Sequence, residues 1–337
     1  MLLLFCFALL AILFLLPFVP GAREIKRKDD AAPLFINMKY RKDPRYFAVS
    51  FRKLMLQSIA DMPAGLHSVI LSKQEMIQIS DDTRNIAGTV TENVLYIRNN
   101  LASANDVTFK KEVYALGNAS IGESNHLQAL ACDGDLQVRK GTHFLRWLDA
   151  KGNMKIDDDC DLGISATCLG ELAIASKCKF TRLYGYPIVT VTDSGRAWDG
   201  EDSTVGDNAI LRGISTERGI SDMPPHCLKN CNIIAEESLT IGEHSIIHGH
   251  IKSHGKLVAG TSVTVMGNLF AEGDIEIGPG SRVLGSVFSQ GRITLRTGVT
   301  IGTRNRIKSI VGKKGIFLEG GVLVYGYILT EGRGMVA

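Results

Sequence analysis

The chain lacks most of the signatures that announce a chemistry. There is no Gly-rich phosphate loop, no Ser/His/Asp grouping and no G-x-S-x-G elbow, which leaves nucleotide handling and serine-type acyl transfer without a carrier. It has no strong charge bias either. With 38 Lys and Arg against 35 Asp and Glu, the net charge is +3, so bulk electrostatics makes no case for a nucleic-acid partner. The seven cysteines are odd in number: Cys6 lies in an apolar N-terminal run, and Cys132, Cys160, Cys168, Cys178, Cys227 and Cys231 show no tight C-x-x-C spacing. Zinc is therefore not indicated, and buried free thiols in a reducing compartment are expected. Only 2 tryptophans and 9 prolines occur, against 35 glycines, a balance that suits many short strands and tight corners.

What the chain does have is a period of eighteen residues. Leu239, Leu257, Ile275 and Ile293 form one column, and Ile247, Val265, Val283 and Ile301 another; Ile251, Leu269 and Val287 form a third. Glycine keeps step at Gly249, Gly267 and Gly285, and again at Gly255, Gly273 and Gly291. A fixed period marks a solenoid, whose repeats bury their apolar faces by stacking. Within each period, apolar or small residues come in pairs two apart, recurring every six: Leu257/Ala259, Val263/Val265, Leu269/Ala271, Ile275/Ile277. Spacing of two is a strand with one face buried, and three such strands per period make a triangular coil. The fold class is therefore all-β, a three-sided parallel β-helix. Glycine at a corner supplies φ > 0 or lets backbones approach closely.

Ahead of the repeat, Met1 to Pro20 carries no charged side chain, and about 20 apolar residues suffice to cross a bilayer. A cleaved leader would want a basic n-region and small residues before the cut, which favours a retained transmembrane helix. Arg23, Lys26, Arg27 and Lys28 follow the span at once. Basic flanks stay inside, so a single-pass protein with its body in the cytoplasm is expected. The layout that follows is an anchor at 1–20, a basic linker at 21–45 and a membrane-proximal capping region at 46–106. Phe47, Phe51, Leu54 and Met55 predict a helix in that cap, packed against the solenoid's end.

Gly134, Gly152 and Gly170, with Leu136, Met154 and Leu172, place a first β-helix block at 107–191. The frame breaks in a polar stretch, 192–230, read as an inserted loop, and resumes at 231–337 as a second block. Its last coil carries Ile316, Phe317, Leu318, Val324 and Ile328. An uncovered last coil offers unpaired edges and an apolar layer to another copy, so these five residues are the expected end-to-end assembly face. Both blocks together predict about ten coils and a rod of about 50 Å at ~4.8 Å per coil.

Three chemical readings compete with a structural one. Asp157, Asp158 and Asp159 suggest calcium, but they fall at a predicted corner without an EF-hand pattern. Five histidines lie between His226 and His254; His248 and His250 should point outward, and Met266 and Asn268 follow them in the stack, so no convergent ligand set is expected. Hexapeptide acyltransferases share the eighteen-residue triangular coil, yet they favour one large aliphatic residue per side, whereas here two enter, as in Ile275/Ile277. No catalytic residue, cofactor or metal is expected.

The stretch LVAGTSVTVMGNLFAEGDIEIGPGSRVLGSVFSQGRITL, 257–295, resembles the repeat of the bactofilins, the polymer-forming cytoskeletal proteins of bacteria, with their V-x-G-x-[IVL]-x-[AS]-x-G corners. The match spans 231–302 and continues, weaker but in frame, over 107–191. This resemblance implies a right-handed coil and end-to-end homopolymers without nucleotide. It also implies a place on the inner membrane and recruitment of envelope or cell-wall proteins. The insertion at 192–230 and the extra N-terminal region depart from the family's single short solenoid. A non-polymerising module that presents the 192–230 loop to a partner is the alternative.

Overall fold

The computed structural model describes residues 43–60, 67–72, 75–81, 90–191 and 214–337. The expected span at 1–20, the basic linker through residue 42 with Arg23, Lys26, Arg27 and Lys28, and residues 192–213 lie outside the described residues. Among the described residues no helix is long and apolar enough to cross a membrane.

The described residues from 75 onward wind as a β-solenoid of about 13 turns, about 60 Å of stacked strands at ~4.8 Å each. In the second block Leu239 pairs with Leu257, Leu257 with Ile275 and Ile275 with Ile293. Ile247, Val265, Val283 and Ile301 follow the same register. All eight are at most 2% exposed. Each parallel ladder thus puts like residues over like, and their side chains merge into one dry interior continuous through both blocks.

Two kinds of corner hold the coils. Gly249, Gly267 and Gly285 sit where backbones touch: a Cβ on Gly267 would lie 2.2 Å from the Gly249 carbonyl oxygen, and one on Gly285 2.2 Å from that of Gly267. Close approach, not positive φ, requires glycine there. The left-handed corner is elsewhere, at His226, His244, Ser262, Gly280 and Gly298, with φ between 55° and 73°. Asp106, Ser124, Gly141, Asp159 and Lys177 repeat it in the first block. Because most of these are not glycine, the corner is invisible to a search for glycine columns.

The boundaries differ from the expected ones. Glu75–Ser80, Val90–Thr91, Val94–Ile97 and Leu101–Ala102 already pair in parallel with the next coil. Much of the expected capping region is therefore solenoid. In the sequence 66–80 and 94–97 read as strands but fit the eighteen-residue frame poorly; one face of the first block is buried on both sides, and Val94–Ile97, Val113–Ala115 and Ser165–Cys168 are buried at every residue. Doubly covered parallel strands read as continuous runs, without alternation. Likewise 214–230 is not loop. Ser215–Arg218, Asp222–Met223 and Leu228–Lys229 form the first described coil of the second block.

The two blocks meet tail to tail. The last strand of the first block, Lys179–Thr190, bends around all three faces and pairs antiparallel with the last strand of the chain, Leu323–Val336. Leu183 lies against Ile328 and Ile188 against Val324, all at most 1% exposed. This corrects the expected assembly face. Ile316, Leu318, Val324 and Ile328 are interior residues and Phe317 is half-buried. The edge expected to await a second copy is already paired within the chain.

Candidate functional site

Among the described residues, the features that depart from the repeating coil are the ends of the two blocks and the flank covered by the helix at 46–60. At the junction the closure extends beyond strand pairing. Thr190, 1% exposed, accepts through Oγ1 from the Val322 amide at 2.8 Å and donates to the Glu319 carbonyl at 2.6 Å. The Lys177 amide donates to the Val336 carbonyl and the Val336 amide to that of Cys178. Tyr186 and Tyr325 meet edge to face at 5.7 Å. Phe180 packs against Gly334, where a Cβ would sit 2.2 Å from a ring carbon.

The opposite end of the second block is finished differently. Glu217 stacks on Ile233 and Lys229 on Ile247, so both occupy inward columns that are aliphatic in every later coil. They pair with each other at 2.7 Å across the end of the core. The ion pair holds the Glu217 carboxyl below the ordinary carboxylate range and the Lys229 ammonium above its own. Both are partly exposed, so the pair itself adds little stability. Inward charge at a terminal coil instead gives it a polar outer layer, which blunts stacking.

The first block carries a flank cover. Helix α1 (Tyr46–Ala60) lies over the outside of the doubly buried face, whose ladder begins with Glu75–Ser80, paired antiparallel with Ser68–Ser72 and parallel with Val94–Ile97. Helix and face form a second apolar cluster around Met55, Ile77, Tyr114 and Trp147. The helix rests on the flank, not on the solenoid's end as expected. Its centre is charged. Arg52, 5% exposed, donates to Asp133 Oδ1 at 2.8 Å, to the Cys132 carbonyl at 2.6 Å and to Asp149 Oδ2. Asp149, fully buried, also accepts a bidentate fork from Arg45 at 2.7 and 2.8 Å and the Thr167 hydroxyl at 2.5 Å. Burial pulls the Asp133 carboxyl up, but hydrogen bonds from Lys151, Arg52 and Tyr114 outweigh it and set it below its usual value.

Nothing in the sequence reading singled out Arg52, Asp133 or Asp149. The signal was an arginine at position 52, between Ala48 and Met55 on the buried side of the helix, and one Asp in the outward column that holds Tyr96, Tyr114 and Ala131.

The histidines and the acidic run have structural roles. His250 accepts the Asn268 amide through Nδ1 at 3.0 Å, within a corner ladder that also uses Asn232 and Asn268. His226 and His244, both left-handed, stack at 5.1 Å. Asp158 accepts from the Ser176 amide, Asp157 pairs with Arg139, and Asp159 takes the left-handed corner, so the three carboxylates do not converge. No cluster able to hold a metal occurs among the described residues. The cysteines described are free thiols, and burial pushes Cys132 and Cys168 up to about 12, which keeps them protonated and inert.

The geometry defines a class, a double β-solenoid closed on itself tail to tail. No family model, curated protein or solved structure matches the chain.

Proposed function

We propose that this chain is a non-enzymatic, membrane-anchored structural scaffold, bactofilin-like in its right-handed coil but acting as a discrete double solenoid. Its body lies on the cytoplasmic face of a bacterial inner membrane and holds envelope or morphogenesis proteins there. The observation that carries this reading is the antiparallel pairing of Lys179–Thr190 with Leu323–Val336, which spends the chain's own terminal edge inside the molecule. The Glu217–Lys229 pair over the other end supports it.

A second reading is end-to-end self-assembly through the coil at 214–230. It is favoured by three strands there that pair on one side only among the described residues. Negative-stain imaging and sedimentation velocity of the full chain in detergent separate the two. Discrete particles of constant sedimentation coefficient support the closed scaffold; filaments that lengthen with concentration overturn it.

A further inference from the structure

Helix α1 leaves a groove on its outer side, of about 500 Å³, between the helix and a corner of the first block. Val49, Leu56 and Leu169 line it, each about half exposed at 49%, 49% and 53%. An apolar concave lining that no described residue covers is the kind of surface that marks an interaction site. Its rim has one sign of charge. Arg45, Arg52, Lys53 and Lys151 contribute to the lining, which contains no carboxylate. Arg45, Arg52 and Lys151 are answered by Asp149 and Asp133. Lys53 is exposed and has no ion-pair partner among the described residues. Helix α1 itself contains no acidic residue, so nothing on it repels an anion.

We infer that the groove binds an anionic phospholipid of the bilayer, with an acyl chain between Leu56 and Leu169 and the headgroup phosphate at Lys53. Apolar area and a cationic rim are what a surface-lying helix uses to hold an acidic membrane. The inference rests on the membrane location proposed above, and the test separates the two. A Gln57→Trp, Trp198→Phe chain is mixed with vesicles of phosphatidylcholine, alone or with phosphatidylglycerol, both with brominated acyl chains. Flotation reads attachment; quenching of the added indole, over that of Trp147 alone in a Trp198→Phe control, reads the groove.

Quenching that at least doubles in the anionic vesicles, and is lost in Lys53→Glu and in Leu169→Asp, is expected. Flotation with both vesicles without quenching overturns the groove and leaves the anchor. Quenching that survives Lys53→Glu and Leu169→Asp also overturns it. Attachment to anionic vesicles alone, with quenching, keeps the groove and removes the anchor, whereas flotation with neither removes both. Lys53 and Leu169 are exposed, so folding does not obscure the result.

Discussion

Replacing Arg52 by methionine keeps the length of the side chain and removes the fork that ties helix α1 to the solenoid. Three acceptors lose a donor: Asp133, Asp149 and the Cys132 carbonyl. Breaking a buried pair from one side costs about 3–5 kcal/mol when the remaining charge is left alone. Here it is not alone. Arg45 and Thr167 still serve Asp149, and Lys151 and Tyr114 still serve Asp133. The loss is therefore set by charge-assisted hydrogen bonds at about 1.5–3 kcal/mol, and we expect docking to weaken by about 2–3 kcal/mol. A helix of 15 residues is marginal by itself in water, so its amides are protected mainly while it is docked. At 1.4 kcal/mol per tenfold, protection across Tyr46–Ala60 should fall about 30- to 150-fold. Hydrogen exchange read by mass spectrometry on the full chain measures this directly, with the strands of the second block as internal reference. Arg52→Lys should recover little, because an ammonium cannot reproduce the fork. Unchanged protection of the helix in Arg52→Met would refute the clamp.

Acid should act on the same contact. The Asp133 carboxyl is depressed in the folded chain, so its contribution is full above its unfolded value near ~3.9 and is lost as pH falls through the lower folded value; helix protection should drop there before the solenoid's does. Converting the end pair to Glu217→Ile, Lys229→Ile removes the polar layer over the core at 214–230, and sedimentation velocity should then show association that rises with concentration. A monomer at every concentration would show that the pair is not what prevents stacking. Gly334→Val drives a Cβ into the Phe180 ring. It should lower the melting temperature and expose Leu323–Val336 to exchange, while an unchanged melting curve would mean that the junction adapts.

The sequence by itself determined the solenoid. An eighteen-residue column at Leu239, Leu257, Ile275 and Ile293 admits one economical arrangement, coils stacked in register, because stacking is the only way each short repeat buries its apolar side. Local pattern served well wherever one strand face meets water. It weakened at 94–97, where a second layer of protein makes both faces apolar, and at 214–230, where the first described coil of the second block exchanges aliphatics for Glu217 and Lys229. Three features were decided only by tertiary structure. These are the antiparallel closure of the two last coils, the docking of α1 through Arg52, and the groove beside it. Each joins segments far apart in the chain, such as Arg52 with Asp149 and Lys179 with Met335, so no period links the partners. Whether an edge strand such as Leu323–Val336 stays open or is paired depends on what the rest of the chain brings to it.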